Sequence, residues 1–369
     1  MSRRRAALVL ALVALLLAAS TTTTQGLTAR SHPGAASSDT TRSNPAGLSP
    51  DVGRTSQRGL ISFVGVDGVT YEASPPVVYG SSGRRIFFGE DFDAACWYGD
   101  HLDDGLRQLR KLARVIEKSG RHVVWTVAPN KSAVATDDLP VQIPHGRCAK
   151  RGIAQQNRIL DNFTDPRFIS LRSELERQSA RGANVYWHLD THWSTVAASQ
   201  FAEGVADKLN PRIAALQRYR TKKGSIPVDL GTIGLIDQKV ESGKVRVSRS
   251  PVRVRPAGGE TEIDIDTLIN PDISWRTGPA ARTWRGNTLL LGDSFMYRSL
   301  SVMMPMFRHG RFLWLNNVDD AEVLAAIAKS DTVVFELVQR YVGASRHVQT
   351  EFRRAVRDAL AVYDGRHRK

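Results

Sequence analysis

The alternation of strand-like and helix-like segments is the feature that most constrains how this chain can fold. From residue 60 onward, short apolar runs such as HVVWTVAP (122–129), NTLLLGDS (287–294) and DTVVFELV (331–338) are separated by segments whose apolar residues have helical spacing. Strands that alternate with helices favour a parallel sheet covered by helices on both faces. We therefore predict an α/β fold with a doubly wound parallel sheet, in which ligand chemistry belongs at the carboxyl ends of the strands.

Two further segments extend this prediction. NVYWHLDTHW (184–193) reads as another strand, and the following segment, STVAASQFAEGVADKLN, reads as a helix capped by Ser194. Residues 221–275 are rich in Gly, Pro and charge and show no helical run, so we predict an irregular insertion lying over the site.

The N-terminus has the pattern of an export signal. Arg3-Arg4-Arg5 precede an apolar run at residues 6–19, which is shorter than the roughly 20 residues that comfortably span a bilayer. We expect residues 1–20 to be a signal peptide or an N-terminal membrane anchor. Residues 21–58 are rich in Thr, Ser, Gly and Pro and are expected to be a disordered linker, leaving residues 59–369 as the folded domain. The protein is then extracytoplasmic, either tethered or secreted.

The net charge and the two cysteines indicate which partners and which compartment the protein has. The net charge of +14 suggests an anionic membrane surface, an anionic wall polymer or an acidic polysaccharide as neighbour. The sequence shows no zinc-finger, homeodomain or RNP pattern, so nucleic acid is not expected as a partner. The two cysteines, Cys96 and Cys148, either form one disulfide in an oxidising exterior or remain buried thiols.

The first candidate catalytic element is Gly292-Asp293-Ser294, where a buried strand stops and a helix begins. A serine at that point stands at a helix N-terminus, where free N–H groups favour developing negative charge. Gly292 is expected to serve backbone conformation, and Asp293 to hold the turn by bonding nearby backbone. The same pattern also fits an ordinary helix cap, so Ser294 needs partners.

The second element is YWHLDTHWS (186–194). In an extended strand, His188, Asp190 and His192 share one face. One chemistry uses Asp190 to orient His192, which then takes the proton of Ser294. The other uses His188, Asp190 and His192 as metal ligands, but no further Cys or His cluster completes a coordination set. We favour serine catalysis and expect no metal or other cofactor.

GDSF together with DTHW resembles the alginate O-acetyltransferase AlgJ/AlgX family, whose catalytic domain is SGNH-hydrolase-like with Asp-x-His placed ahead of the serine. GRRIFFGEDFD (83–93), VAPNKSAV (127–134) and VVFELVQRY (333–341) are similar to other family stretches, so that the resemblance covers roughly residues 80–345. Phe87 and Phe88 depart from the Trp-Leu-Phe-like run expected in the opening motif. The chain ends soon after the closing strand, which makes it more similar to AlgJ than to AlgX.

The resemblance implies an SGNH-hydrolase-like O-acetyltransferase that acts on a cell-surface or secreted polysaccharide through a serine acyl-enzyme. Ser294 would be the nucleophile, His192 the general base and acid, and Asp190 the orienting carboxylate. Backbone N–H groups at the start of the helix after Ser294 would stabilise the oxyanion. The resemblance also implies a membrane-bound, multi-spanning acyltransferase as the source of acetyl groups.

Five other residues have weaker claims to a place in the site. Asn130 is a candidate oxyanion donor or a loop Asx-turn, and Lys131 follows the same strand and could reach the site. Trp193 could stack on a sugar or belong to the core. Arg340 and Tyr341 could line the cleft, or Arg340 could pair with Glu336 or Asp331.

Two other functions stay open from the sequence. The same triad would serve a glycan acetylesterase if water replaced the sugar. From a different class, a non-catalytic basic module that binds wall polymer would need no triad, and the intact Asp190, His192 and Ser294 argue against it.

Overall fold

A central seven-stranded sheet organises the molecule. The computed structural model describes residues 61–64, 70–97, 101–234, 240–249, 254–256, 272–277, 283–315 and 318–367. The predicted signal and linker, residues 1–58, lie outside the described residues. None of the helices in the described part is both long and apolar enough to cross a membrane.

In the described part of the chain, two small antiparallel strand pairs come first. They are β1 (Ile61–Val64) with β2 (Thr70–Ala73), and β3 (Val77–Tyr79) with β4 (Ile86–Phe88). The helices and strands that build the first half of the domain follow: α1 (Glu90–Trp97), α2 (His101–Lys118), β5 (His122–Ala128), α3 (Lys131–Val134), α4 (Arg147–Asn162), β6 (Phe168–Ile169), α5 (Arg172–Ala180), α6 (Thr195–Leu209) and α7 (Pro211–Ala214).

The second half contains the predicted insertion and the rest of the sheet. Its elements are β7 (Tyr219–Pro227), α8 (Asp229–Ile233), β8 (Val240–Ser248), β9 (Val254–Pro256), β10 (Ile273–Thr277), β11 (Trp284–Gly292), α9 (Ser294–Met303), β12 (Phe307–Trp314), α10 (Asp320–Lys329), β13 (Thr332–Val338), α11 (Gln339–Val342) and α12 (Thr350–His367).

The sheet is mostly parallel, as predicted. Its strand order is β6-β5-β13-β11-β12-β10-β9, and the first five strands run parallel while β10 and β9 join antiparallel at one edge. Strand β11 therefore lies between β13 and β12, and the carboxyl ends of all three strands lie at the same edge of the sheet.

Helices bury both faces of this sheet. Along β11, Leu290 belongs to one apolar cluster with α6 and α9, whereas Leu289 and Leu291 belong to another cluster with α2, α10 and α12. Successive side chains of a strand point to opposite faces, so an uninterrupted apolar run marks a strand covered on both sides. The predicted doubly wound α/β fold is confirmed.

One strand prediction is wrong. Residues 184–193 form turns and a single isolated bridge between Tyr186 and Trp193, not a strand of the sheet. The side chain of Asp190 accepts a hydrogen bond from the backbone N–H of His192, which removes that N–H from any strand ladder. The cap predicted for the next helix is present, since Ser194 accepts a hydrogen bond from the backbone N–H of Val196.

The predicted insertion has more order than its composition suggested. Strands β7 and β8 pair in register from Tyr219↔Ser248 to Pro227↔Val240, and the short helix α8 follows β7 directly. The two cysteines are joined, with the Cα atoms of Cys96 and Cys148 5.1 Å apart, so that the disulfide links α1 to α4.

Candidate active site

The Asp-Thr-His turn brings a carboxylate and an imidazole together locally. Asp190 is fully buried, and its Oδ1 lies 2.7 Å from both the backbone N and the Nδ1 of His192. Its Oδ2 accepts a bond of 3.1 Å from the backbone N–H of Asp229. Burial by itself would raise the pKa of Asp190, but His192 and the nearby Arg298 outweigh it and hold that pKa below its ordinary range.

The outer nitrogen of His192 is the chemically available one. The side chain of His192 is buried beside the ring of Phe295, with 5.0 Å between the ring centroids. Its Nε2 has no hydrogen-bond partner among the described residues. An imidazole held at Nδ1 by a carboxylate and left unpaired at Nε2 is set up to exchange a proton at Nε2.

Ser294 is the first residue of α9, directly after the carboxyl end of β11. Asp293 caps this helix, because its Oδ1 accepts from the backbone N–H of Phe295 at 2.9 Å. Its Oδ2 accepts from the backbone N–H of Val338 at 2.7 Å, which ties the turn to the end of the neighbouring strand β13. The structural role predicted for Asp293 thus matches its contacts.

Gly292 is required by close approach rather than by an unusual backbone angle. A Cβ placed there would lie 2.5 Å from the Cβ of Met296 and 2.8 Å from Oε2 of Glu336. The backbone conformation that we had expected to select glycine is not the left-handed one, since Gly292 is absent from the glycines with positive φ among the described residues.

Arg298 was missed by sequence analysis and lies one helical turn after Ser294. Residues four apart share a helix face. The Nη2 of Arg298 is 3.5 Å from Oδ2 of Asp190, so the face of α9 that carries Ser294 is the face directed toward the Asp190–His192 pair. The i,i+4 spacing from Ser294 is the signal that could have identified it.

Glu336 lies beneath the turn and accepts hydrogen bonds from backbone N–H groups on both sides of Ser294. Its Oε2 accepts from the backbone N–H groups of Asp293 at 3.3 Å and Met296 at 3.0 Å, while Asp293 occupies the N–H of Phe295. The N–H groups just after Ser294, which we expected to hold the oxyanion, are therefore already bonded to buried carboxyl groups. Burial and the adjacent Asp293 raise the pKa of Glu336 well above its usual value.

Lys131 is a buried structural cation rather than a cleft residue. Its side chain is inaccessible, and its Nζ donates to the backbone carbonyls of Ile86, Trp187, His188 and Asp190 at 2.6–3.2 Å. Burial lowers the pKa of Lys131 to about 8. The amine thus fixes the backbone of the Asp190 loop against β4.

Asn130 occupies the end of β5 with a defined amide orientation. It is 1% exposed, and its Oδ1 accepts from the backbone N–H of Arg340 at 3.3 Å. Its own N–H is bonded to Oε1 of Gln339 at 3.1 Å. The contact with Arg340, and not an Asx-turn, therefore holds this side chain. The Nδ2 group of Asn130 points away from that contact.

The other suggested lining residues lie behind the site. Arg340 is buried and forms an ion pair with Asp91 at 3.3 Å, so pairing with Glu336 or Asp331 was the wrong prediction. The hydroxyl of Tyr341 donates to Glu90 at 3.0 Å. Trp193 is 1% exposed and its Nε1 donates to the carbonyl of Phe295, which places it in the core.

The insertion contributes two acidic side chains to the site that sequence analysis did not identify. Asp229, at the start of α8, accepts from the backbone N–H of Thr191 at 2.8 Å, and its Oδ2 lies 3.5 Å from Nδ1 of His192. Burial and the charge of Asp190 raise the pKa of Asp229 to about 6. From β8, Glu241 pairs with Nδ1 of His188 at 2.7 Å.

A metal set built on His188 is not formed. Within the part of the chain that the structure describes, the group with ligand atoms close enough to hold an ion is Asp190, His192 and Asp229. His188 is engaged with Glu241 instead. In the other set, Nδ1 of His192 is already hydrogen-bonded to Asp190, so the observed contacts are those of an oriented imidazole.

Comparison with known proteins bears on this arrangement. Residues 86–254 match the family model of the SGNH hydrolase-like domain of the acetyltransferase AlgX. Over this segment the chain is similar to that SGNH hydrolase-like acetyltransferase domain. The resemblance to the AlgJ/AlgX family is confirmed. The matched residues of the AlgX-type segment include Asp190 and His192, whereas Ser294 lies beyond them.

The chain also aligns with several solved structures. The O-acetyltransferase domain of Pseudomonas putida AlgJ aligns at 18% identity over 76% of this chain and 98% of its own, with a TM-score of 0.44. Bacillus cereus PatB1 aligns at 16% identity over 68% of this chain and 93% of its own, with a TM-score of 0.46. Pseudomonas aeruginosa AlgX aligns at 15% identity over 77% of this chain and 66% of its own, with a TM-score of 0.40.

These TM-scores are all below 0.5, so the resemblance to AlgX rests on the family model. No curated protein matches the chain.

Proposed function

We propose that the protein is an O-acetyltransferase that moves acetyl groups onto hydroxyls of an extracellular or cell-surface polysaccharide through an acetyl-Ser294 intermediate. The observation that carries the proposal is His192, whose Nδ1 is held by a buried carboxylate while its buried Nε2 has no partner among the described residues. An imidazole in that state can activate a weak hydroxyl nucleophile. Phe295, whose ring centroid lies 5.0 Å from that of His192, directly follows Ser294.

In the first half-reaction, Ser294 Oγ attacks the carbonyl carbon of the acetyl donor. Its proton passes to Nε2 of His192, and Asp190 stabilises the resulting imidazolium at Nδ1. When the tetrahedral intermediate collapses, the bond from carbon to the leaving group breaks, and the leaving group takes the proton from Nε2. Acetyl-Ser294 remains.

Oxyanion stabilisation in this scheme comes from donors that are not committed elsewhere. The backbone N–H of Ser294 stands at the N-terminus of α9, and the Nδ2 group of Asn130 is directed away from the Oδ1 contact with Arg340. Both lie at the carboxyl ends of sheet strands, β11 and β5. Preformed donors of this kind stabilise the transition state because they need no reorganisation.

In the second half-reaction, a sugar hydroxyl replaces the leaving group. Nε2 of His192 takes the hydroxyl proton while the sugar oxygen attacks the acetyl carbon, and the collapse returns the proton to Ser294 Oγ. Water in place of the sugar would give acetate, which is the esterase outcome of the same site.

The location proposed is extracytoplasmic, with residues 59–369 as the catalytic domain behind a linker and an N-terminal signal or anchor. The Cys96–Cys148 disulfide supports this location, because such bonds persist in oxidising compartments. A membrane-bound, multi-spanning acyltransferase would then supply acetyl groups from inside.

The test follows p-nitrophenol release from p-nitrophenyl acetate by the full-length chain, with the intact mass recorded during turnover. We expect an acetyl adduct on Ser294 that a glycan discharges faster than water does. Ser294→Ala should lower the rate by about 10³-fold or more. Ser301→Ala, an exposed serine of the same helix, is the matched control and should behave as wild type.

Each alternative has its own outcome. Discharge by water alone, with no effect of any glycan, would replace the transferase proposal with an acetylesterase. If no adduct formed and Ser294→Ala equalled wild type, the proposed chemistry would be wrong, and a binding module would be the better description.

A further inference from the structure

The hairpin formed by β7 and β8 carries a strongly one-sided charge. Its residues and the one that follows β8 include the basic side chains Arg220, Lys222, Lys223, Lys244, Arg246 and Arg249. The one acidic side chain of these two strands, Glu241, is buried and bonded to His188 and to the backbone N–H of Leu189. The exposed part of the hairpin is therefore cationic.

The register of the hairpin places two lysines directly opposite each other. Along β8, Glu241 and Val245 are buried and Gly243 lies against Trp187, so these residues mark the inner face. Lys244 alternates with them and belongs to the outer face, where its cross-strand partner is Lys223. Like charges directly opposite each other on a strand pair are destabilising.

No carboxylate offsets this pair in the described part of the chain. Both lysines are exposed, and neither takes part in an ion pair there. On the outer face, Ser225 lies opposite Ser242 on one side of this pair, and Thr221 lies opposite Arg246 on the other. The guanidinium of Arg246 donates to Ser199 of α6. The repulsion between the two lysines destabilises the hairpin when no ligand is bound. A ligand with negative charges and hydroxyl groups would offset that repulsion and hydrogen-bond to the neighbouring hydroxyls.

The loop end of the hairpin meets the candidate active site. The carbonyl of Pro227, the last residue of β7, accepts from Nη2 of Arg298 at 3.2 Å. Two residues later, Asp229 contacts the Asp190–His192 pair. The open part of the outer face runs from Pro227 back to Thr221, about 20 Å at ~3.3 Å per residue, and it begins beside the reacting groups. Beyond it, Arg246 and Tyr219 pack toward α6 and the core.

We infer that the outer face of the β7–β8 hairpin binds a polyanionic polysaccharide chain, with Lys223 and Lys244 as the central contacts. That this chain is the acetyl acceptor rests on the proposed function; the binding itself does not. A polymer lying along the face could present one sugar to Ser294 while neighbouring acidic units contact the lysines. Cationic surfaces raise the local concentration of such ligands and speed their association.

An anionic membrane is the less suitable partner for this surface. Peripheral membrane binding combines basic residues with buried Trp, Phe or Leu side chains. The outer face offers hydroxyls along its length, with Val240 opposite Pro227 at the loop end as its apolar part. That small apolar end is adequate for the C–H face of a sugar ring.

The experiment measures binding to the full-length chain carrying Ser294→Ala, so that no transfer can occur. The probes are polygalacturonate oligomers, dextran oligomers of similar length, and phosphatidylglycerol vesicles. We expect polygalacturonate to bind, with affinity falling as salt rises, and dextran to bind much more weakly. Lys223→Gln/Lys244→Gln should weaken polygalacturonate binding about three- to tenfold, and Lys223→Arg/Lys244→Arg should retain it.

The matched control is Lys111→Gln/Lys118→Gln, which removes the same charge from exposed positions on α2 and should bind as wild type. Equal loss in both double variants would reduce the effect to net charge and overturn the inference. So would unchanged binding in the hairpin variant, or binding of vesicles in place of the polymer.

Acetylation of Ser294 in the hairpin variant separates the two proposals. A normal p-nitrophenyl acetate adduct together with lost polymer binding supports the hairpin surface. Polymer binding that depends on the lysines in a protein that never forms the adduct would leave this surface standing and remove the proposed reaction.

Discussion

At the scale of single residues, the site depends on residues that act through the space they leave or the charge they carry. No sequence motif marks these residues. Gly292 leaves room for Met296 and for the carboxyl of Glu336, which in turn holds the N-terminus of α9. We expect Gly292→Ala to destabilise the protein by about 1–3 kcal/mol, because an added methyl group there overpacks a closed space. Urea denaturation measures this.

Gly365→Ala is the control for that substitution. Gly365 lies in α12, and nothing is within 4 Å of a Cβ placed there. Alanine should then be neutral or stabilising by up to about 1 kcal/mol, since it is the better helix former. Equal effects of the two changes would contradict the steric explanation for Gly292.

Sequence analysis identified site residues that belong to a recognisable motif. It missed residues whose role comes from their position in the folded protein. Asp190 and His192 were selected by spacing, and they do form a bonded pair. Asp229 and Arg298 complete the surroundings of that pair from distant segments, which a single sequence does not bring together. Lys131 looked like a reachable cation because nothing in its neighbours indicates that it is buried.

At the scale of elements, periodicity worked where both faces of a strand are apolar. The strands β5, β11 and β13 were predicted from such runs and pair in parallel. Periodicity gave the wrong prediction at residues 184–193. There the side chain of Asp190 bonds to the local backbone, and the segment does not pair as a strand of the sheet.

The link between α1 and α4 gives a prediction at this scale. The disulfide spans 52 residues, so in the chain-entropy model Cys96→Ala/Cys148→Ala should cost about 4 kcal/mol of unfolding free energy. Wild type measured in a reducing agent should lose a similar amount. If reduction changed the wild-type denaturation curve no more than it changes that of the double variant, the bond would contribute nothing.

At the scale of the whole molecule, buried carboxyl groups set the response of stability to pH. Burial raises the pKa of Glu90 to about 7, although Arg340 opposes the shift. In the unfolded chain this group deprotonates near 4.5. Between these values the unfolded state loses a proton that the folded state keeps, so the stability owed to protonated Glu90 is lost as pH rises from about 4.5 to 7.

Glu90→Gln isolates that contribution, because the amide can still accept the bond from Tyr341 but does not titrate. Relative to wild type, we expect the variant to gain about 2 kcal/mol in unfolding free energy between pH 4.5 and pH 7. Denaturant curves at several pH values measure the difference. Parallel pH profiles for the two proteins would show that Glu90 titrates normally in the folded state.

The four carbonyl contacts of Lys131 have a consequence for anyone who would transplant this site. The segment that carries Asp190 and His192 is not a strand of the sheet. The Lys131 amine ties its backbone to the carbonyl of Ile86 on β4, and Asp229 and Glu241 bond to its backbone N–H groups. Copying the Asp-Thr-His tripeptide onto another scaffold would therefore transfer the reactive groups without their support. A working graft would have to carry the β3–β4 pair, the loop that supplies Lys131 and the β7–β8 segment that supplies Asp229 and Glu241.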